Sequence, residues 1–309
     1  MSLKDKTVSS IVWSGIERFS TLFIQLVCTI IIARLLTPAD FGLVGMLTIF
    51  ISLAQTIIDS GFGQALIRKQ DADQVDYSSV FYINLVLGII VYIVCSSSIA
   101  SFYDMPELEL VSKISFIVLP VNALGLIQYT ILCKKIDFRS ISQITIYSSI
   151  LSGILGICIA FYFQNVWALV VQSVSFYIFR TALLWFINSW KPSLELSFNS
   201  IKAMFGFSIN LLLTGLVGSF FMNIYSLVIG KFYTPTELGY YSQADRIQKI
   251  PATSITEVIQ RVTYPVLATI QNEDERLRES YRKIINMAIF IITPLMTYFI
   301  LVAPEFFDL

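Results

Sequence analysis

The chain has 309 residues, of which 56% are hydrophobic and only 14% charged, whereas soluble domains run nearer ~45–50% apolar and ~25% charged. Mean hydropathy is +0.74, and 21 basic residues cancel 21 acidic ones, which excludes binding to nucleic acid through bulk charge. Histidine is absent, so the commonest general base and any histidine metal site are excluded, and no GxxxxGK[ST] phosphate loop is present. The apolar residues fall in long blocks, many exceeding the ~20 residues that cross a bilayer as a helix. The fold class that follows is an all-α polytopic membrane protein.

Hydropathy predicts nine spans, near 8–35, 41–66, 78–103, 111–132, 141–163, 166–188, 201–232, 240–270 and 284–303. The first follows Lys4 and Lys6 and is interrupted by Glu17-Arg18, too long and too polar for a cleaved signal peptide. Between the first and second spans lies Thr37-Pro38-Ala39-Asp40-Phe41-Gly42. The second closes on Asp59-Ser60-Gly61-Phe62-Gly63, small residues that allow close helix approach or a local unwinding, tight packing being the plainer reading. Tyr103, Trp167, Trp190 and Tyr233 sit near span ends as interfacial anchors. The cysteines (Cys28, Cys95, Cys133, Cys158) are scattered singly with no CxxC, so neither a disulfide framework nor a metal site is expected. Polar residues Ser189–Ser200 then link the sixth span to the seventh, and Thr234-Pro235-Thr236-Glu237-Leu238-Gly239 precedes the eighth.

That second hexapeptide repeats the first at an offset of 197, and Pro304-Glu305 echoes Pro106-Glu107 at an offset of 198. The chain therefore reads as two related halves, 1–190 and 191–309. Because the first half holds an even number of spans, the second re-enters with the same orientation, as in transporters built from parallel repeats. Continued to full length, the second half would need three more spans, so the sequence reads as a carboxy-terminally truncated fragment. With the amino terminus inside, the inner ends carry Lys4, Lys6, Arg68, Lys69, Lys134, Lys135, Arg139, Lys191, Lys202, Arg276, Arg278, Arg282 and Lys283. The outer ends carry only Arg34, Lys113 and Lys231. The positive-inside rule therefore places the amino terminus in the cytoplasm.

Ionisable groups inside a span cost ~2.5–3.5 kcal/mol on insertion scales and mark candidate function. Arg18, Asp59 and Arg180 each fall ~10–15 Å from the inner end of their spans, at ~1.5 Å per residue. Two readings stand: a polar cluster holding an anionic head group, or arginines snorkelling to the interface with Asp59 pairing one of them. The eighth span carries Asp245, Arg246, Lys249, Glu257 and Arg261 around Pro251, so it cannot face lipid and should line water or a polar ligand. Asp245/Lys249 and Glu257/Arg261 are i,i+4 pairs that can neutralise each other.

Ala33-Arg34-Leu35-Leu36 running into the first hexapeptide, Asp59 through Arg68, and Gly239-Tyr240-Tyr241-Ser242-Gln243-Ala244 resemble the polysaccharide biosynthesis/export family of the multidrug/oligosaccharidyl-lipid/polysaccharide exporter superfamily. The resemblance implies a two-lobe exporter fold with six-helix repeats around a cavity that opens alternately inward and outward. It implies a non-enzymatic flippase in the bacterial inner membrane, moving undecaprenyl-pyrophosphate-linked oligosaccharide repeat units (O-antigen, capsule or exopolysaccharide) to the periplasmic leaflet. Arg18, Arg180, Arg246, Lys249 and Arg261 are then candidates for the pyrophosphate and acidic sugars. Asp59, Asp245 and Glu257 are candidates for H⁺ or Na⁺ coupling, with no other cofactor. A glycan polymerase and glycosyltransferases would be its partners. A cation-coupled multidrug exporter of the same superfamily is the alternative; a membrane glycan polymerase or ligase would need a larger outer loop.

Overall fold

Inside a bilayer a backbone has no water to bond, so apolar runs of this length close their hydrogen bonds as helices. The computed structural model describes residues 3–69, 71–246, 248–249 and 274–307. The helices are α1 (Leu3–Ala33), α2 (Pro38–Asp59), α3 (Phe62–Arg68), α4 (Gln74–Tyr103), α5 (Leu108–Ser115), α6 (Val118–Lys134), α7 (Phe138–Phe163), α8 (Trp167–Ile187) and α9 (Phe198–Phe232). A helix over 235–246, α10, and α11 (Asp274–Phe307) follow. The protein is an all-α polytopic membrane protein: among the described residues, seven segments are long and apolar enough to cross a membrane. They are Val12–Ala33, Pro38–Arg68, Gln74–Tyr103, Leu108–Lys134, Phe138–Phe163, Trp167–Ile187 and Phe198–Phe232, matching the first seven expected spans. The expected ninth span lies within α11, and most of the eighth lies outside the described residues.

Side-chain caps set several helix starts earlier than hydropathy alone would. Asp73 accepts from the Asp76 amide while the Asp76 carboxylate accepts from the Asp73 amide, so α4 begins four residues before its apolar run. Ser197 caps α9 in the same manner, its hydroxyl accepting from the Ser200 amide. In both hexapeptides the threonine precedes a proline at the first helical position, and its amide and hydroxyl donate to Asp40 and Glu237 respectively. Those bonds, the backbone one foremost, hold the Glu237 carboxyl below the usual carboxylate range.

Two of the seven spans are broken. Between α2 and α3, Ser60 (φ 40°) and Gly61 (φ 71°) are both left-handed, and at Gly61 a side chain would press on Leu211 and the Ser208 carbonyl of α9. Close approach and unwinding, posed as alternatives from sequence, thus coincide. Between α5 and α6 the helix is interrupted at residues 116–117; the ring of Pro120 displaces the carbonyl four residues back, which is that of Phe116.

Met1–Ser242 forms one compact unit and Gln243–Leu309 a second. In the first, α7 packs on α1 and α8, α6 on α4 and α8, and α9 on α2, α3 and α4. Small residues permit this: Gly153 faces Cys28, Gly156 faces Gln172, and Gly88 faces Ala123. The linker 189–200 is tied to the start of α4. Trp190 Nε1 donates to Gln74 Oε1 (2.6 Å), Gln74 Nε2 to the Lys191 carbonyl (2.6 Å), and the Ser193 and Ser197 amides to the Ser78 and Ser79 hydroxyls (2.9 Å each). Alternate crossing gathers the α1–α2, α4–α5, α7–α8 and α9–α10 turns at one end and the α3–α4, α6–α7 and α8–α9 connections at the other.

Candidate functional site

Polar residues recur on one face of α2: Ser52, Gln55, Thr56 and Asp59 are spaced three, one and three apart, a helical period. α6 repeats the pattern with Asn122, Tyr129, Thr130 and Cys133. These two faces, with Arg180 of α8, the α2–α3 break, Gln64 and Ile67 of α3, and Leu211, Leu212 and Gly215 of α9, line a cavity of about 690 Å³. That volume lies within the ~300–1,000 Å³ of ordinary small-molecule sites. Its charged lining residues are one carboxylate, Asp59, and one guanidinium, Arg180.

The register of α8 on α6 fixes Arg180. Thr181 donates to the Val121 carbonyl (3.0 Å), Trp185 Nε1 to the Leu124 carbonyl (2.9 Å), and Arg180 Nη1 to Asn122 Oδ1 (3.3 Å). Gly125 makes room, since a side chain there would meet the Thr181 hydroxyl. The guanidinium also lies over the Tyr129 ring, 4.9 Å from its centroid. Held on one edge and one face, it keeps donors for a ligand, and a planar fork of donors suits phosphate or carboxylate oxygens. One turn earlier on α8, the Tyr177 hydroxyl accepts from Gln55 Nε2 (2.7 Å), joining α8 to α2. The Thr56 and Ser219 hydroxyls, 2.9 Å apart, join α2 to α9.

Asp59 ends α2, where the helix dipole does not favour a negative charge. It is exposed to the cavity, and among the described residues no ion pair or hydrogen bond involves its carboxylate. Gly63 separates it from Thr130, whose hydroxyl donates to the Leu126 carbonyl and so offers only lone pairs in other directions.

The three residues expected to cluster are thus divided. Asp59 and Arg180 share the cavity, whereas Arg18 sits on α1 outside its lining. The adjacent Glu17 accepts from the Ser142 hydroxyl of α7 (3.4 Å). Lys249 Nζ is 2.6 Å from Asp245 Oδ2, the expected i,i+4 pair, and both belong with Arg246 to the second unit. Glu257 and Arg261 lie outside the described residues. Among the described residues no cluster of three or more metal-ligating side chains is found. Asn122, Tyr129 and Gln55 were not singled out from sequence, because uncharged polar groups attract no notice in a search for charges; their 3.6-residue spacing was the available signal.

Comparison with known proteins follows the same direction. The family described as "Polysaccharide biosynthesis protein" matches residues 31–309. The teichuronic acid biosynthesis protein TuaB of Bacillus subtilis is 29% identical over 99% of the chain and 64% of its own length. The lipopolysaccharide biosynthesis protein WzxC of Escherichia coli is 25% identical over 100% of the chain and 64% of its own. The succinoglycan biosynthesis transport protein ExoT of Rhizobium meliloti is 23% identical over 94% and 60%. The chain thus spans under two thirds of the length of these relatives. No solved structure matches it significantly.

Proposed function

Because the chain belongs to the polysaccharide biosynthesis protein family, we propose that it serves a flippase activity for a polyprenyl-pyrophosphate-linked oligosaccharide in the bacterial inner membrane. The cargo's lipid stays in the bilayer while its head group crosses the polar cavity. The observation that carries this reading is Arg180, half-buried within the spans and presented to a polar cavity by Asn122 and Tyr129. The cavity lining lies toward the α3–α4 end of the helices, and Arg68, Lys69, Lys134, Lys135 and Lys191 at that end support a cytoplasmic reading of it. Loading then occurs inside, where an activated sugar lipid is made, and release outside supplies a glycan polymerase.

A bound head group must favour one state over the other, or a gradient must do so. Asp59 is the first candidate for H⁺ or Na⁺ coupling, ahead of the paired Asp245 and of Glu257. The same bare carboxylate supports the rival reading, a cation-coupled multidrug exporter.

Removing a charged hydrogen-bond donor costs ~1.5–3 kcal/mol, or roughly 10- to 150-fold in affinity. Arg180→Ala in the full-length protein should lower surface glycan display in proportion, and Arg180→Lys should restore part of it, lacking the fork. Native display by Arg180→Ala protein at native abundance overturns the assignment. Drug sensitivity caused by Asp59→Asn, with display intact, favours the exporter.

A further inference from the structure

The repeated hexapeptides meet each other. A side chain at Gly42 would fall on the carbonyl oxygen of Pro235, and one at Gly239 would fall on that of Pro38. Each glycine thus faces the proline of the other copy, the reciprocal contact of a two-fold interface made within a single chain. One turn deeper, Leu238 is fully buried between Gly45 and Gly230. Beside this contact the end of α9 is fastened to the end of α4: Lys231 Nζ is 3.0 Å from Asp104 Oδ2 and also donates to the Phe102 carbonyl.

The cavity lies further along the same helices. From Gly42 to Ser52 is ten residues of α2, ~15 Å along its axis. The hexapeptide contact therefore lies beyond the cavity lining, at the end of the helices opposite the α3–α4 connection. Two properties suit it to parting. At Gly42 and Gly239 it is backbone against backbone, so no side chain interlocks at the glycines themselves. The ion pair beside it is exposed on one side, with Asp104 at 83% relative side-chain accessibility, and such pairs hold weakly. By contrast, α8 is held on α6 by three side-chain hydrogen bonds.

We propose that the paired Thr-Pro-x-acid-x-Gly segments are the outer gate of the transporter, shut here by the Gly42 and Gly239 contacts and latched by Lys231–Asp104. The assignment rests on the transporter reading, and it explains why each copy needs glycine at its sixth position. An added Cβ at either glycine prevents full closure and shifts the population toward the outward-open state.

Two measurements on the full-length protein test it, both in a background with the native cysteines replaced by alanine. In the first, Ser52→Cys reports the cavity to a membrane-impermeant maleimide added outside intact cells. Gly42→Ala and Gly239→Ala should each raise labelling several-fold, while Gly218→Ala, which meets nothing within 4 Å, should not. In the second, Asp104→Cys with Lys231→Cys is bridged by a short bis-methanethiosulfonate reagent. Bridging should stop glycan display, and reductant should restore it. Native labelling in glycine variants of normal abundance overturns the gate, as does native display by fully bridged protein. If the glycine variants fail to accumulate, the bridging result alone decides. Labelling needs no cargo, so it stands apart from the glycan reading that Arg180→Ala tests.

Discussion

Tyr129 is positioned to support Arg180 through the face of its ring, with the guanidinium 4.9 Å from the centroid. Away from water such a contact contributes ~0.5–2 kcal/mol, and the ring supplies it whether or not a hydroxyl is attached. Tyr129→Phe should therefore keep near-native glycan display, while Tyr129→Leu should lose severalfold, approaching Arg180→Ala. Equal loss in both variants would move the role to the hydroxyl. Asn122 acts on an edge of the same guanidinium, so its removal should add to the loss only while Arg180 is present. A titration of display against expression level, with abundance measured by blot, separates these outcomes from poor accumulation.

At the scale of elements, the α2–α3 break lets α9 pass close to the end of α2. Gly61 takes φ 71°, where a side chain costs ~1 kcal/mol, and a Cβ added there would lie 2.8 Å from Leu211 Cβ and 2.9 Å from the Ser208 carbonyl oxygen. Gly61→Ala should destabilise by ~2–4 kcal/mol, strain and overpacking together. Gly206→Ala, with nothing within 4 Å, should be neutral or stabilise by up to ~1 kcal/mol. Thermal unfolding of the detergent-solubilised protein reads both; a Gly61→Ala protein as stable as the native one would show that the break can straighten. This break was legible as Asp59-Ser60-Gly61-Phe62-Gly63, because glycine and small residues are direct signs of unusual backbone. The starts of α4 and α9 were read three or four residues late. Hydropathy stops at Asp76 and Ser197, whereas capping requires polar residues at those places. Among site residues, Asp59 and Arg180 stood out by charge within a span. Arg18 stood out equally, yet it is not among the residues that line the cavity, since depth along a helix says nothing of azimuth.

For the whole molecule, the hexapeptide repeat was visible as text, but its meaning was not, because an offset of 197 cannot say that two copies touch. Contact changes the expected energetics. Two independent sites more than ~7–10 Å apart contribute additively, whereas sites sharing one interface do not. Gly42 and Gly239 lie on one seam, each against the other copy's proline carbonyl. A Cβ at either position parts the seam, and once it has parted the second Cβ meets little. Gly42→Ala and Gly239→Ala should therefore raise outside labelling of Ser52→Cys by similar factors, and the double variant should exceed neither by more than about twofold. Strict multiplication of the two effects would mean that each glycine seals its own opening, and the seam would not be a single two-fold gate.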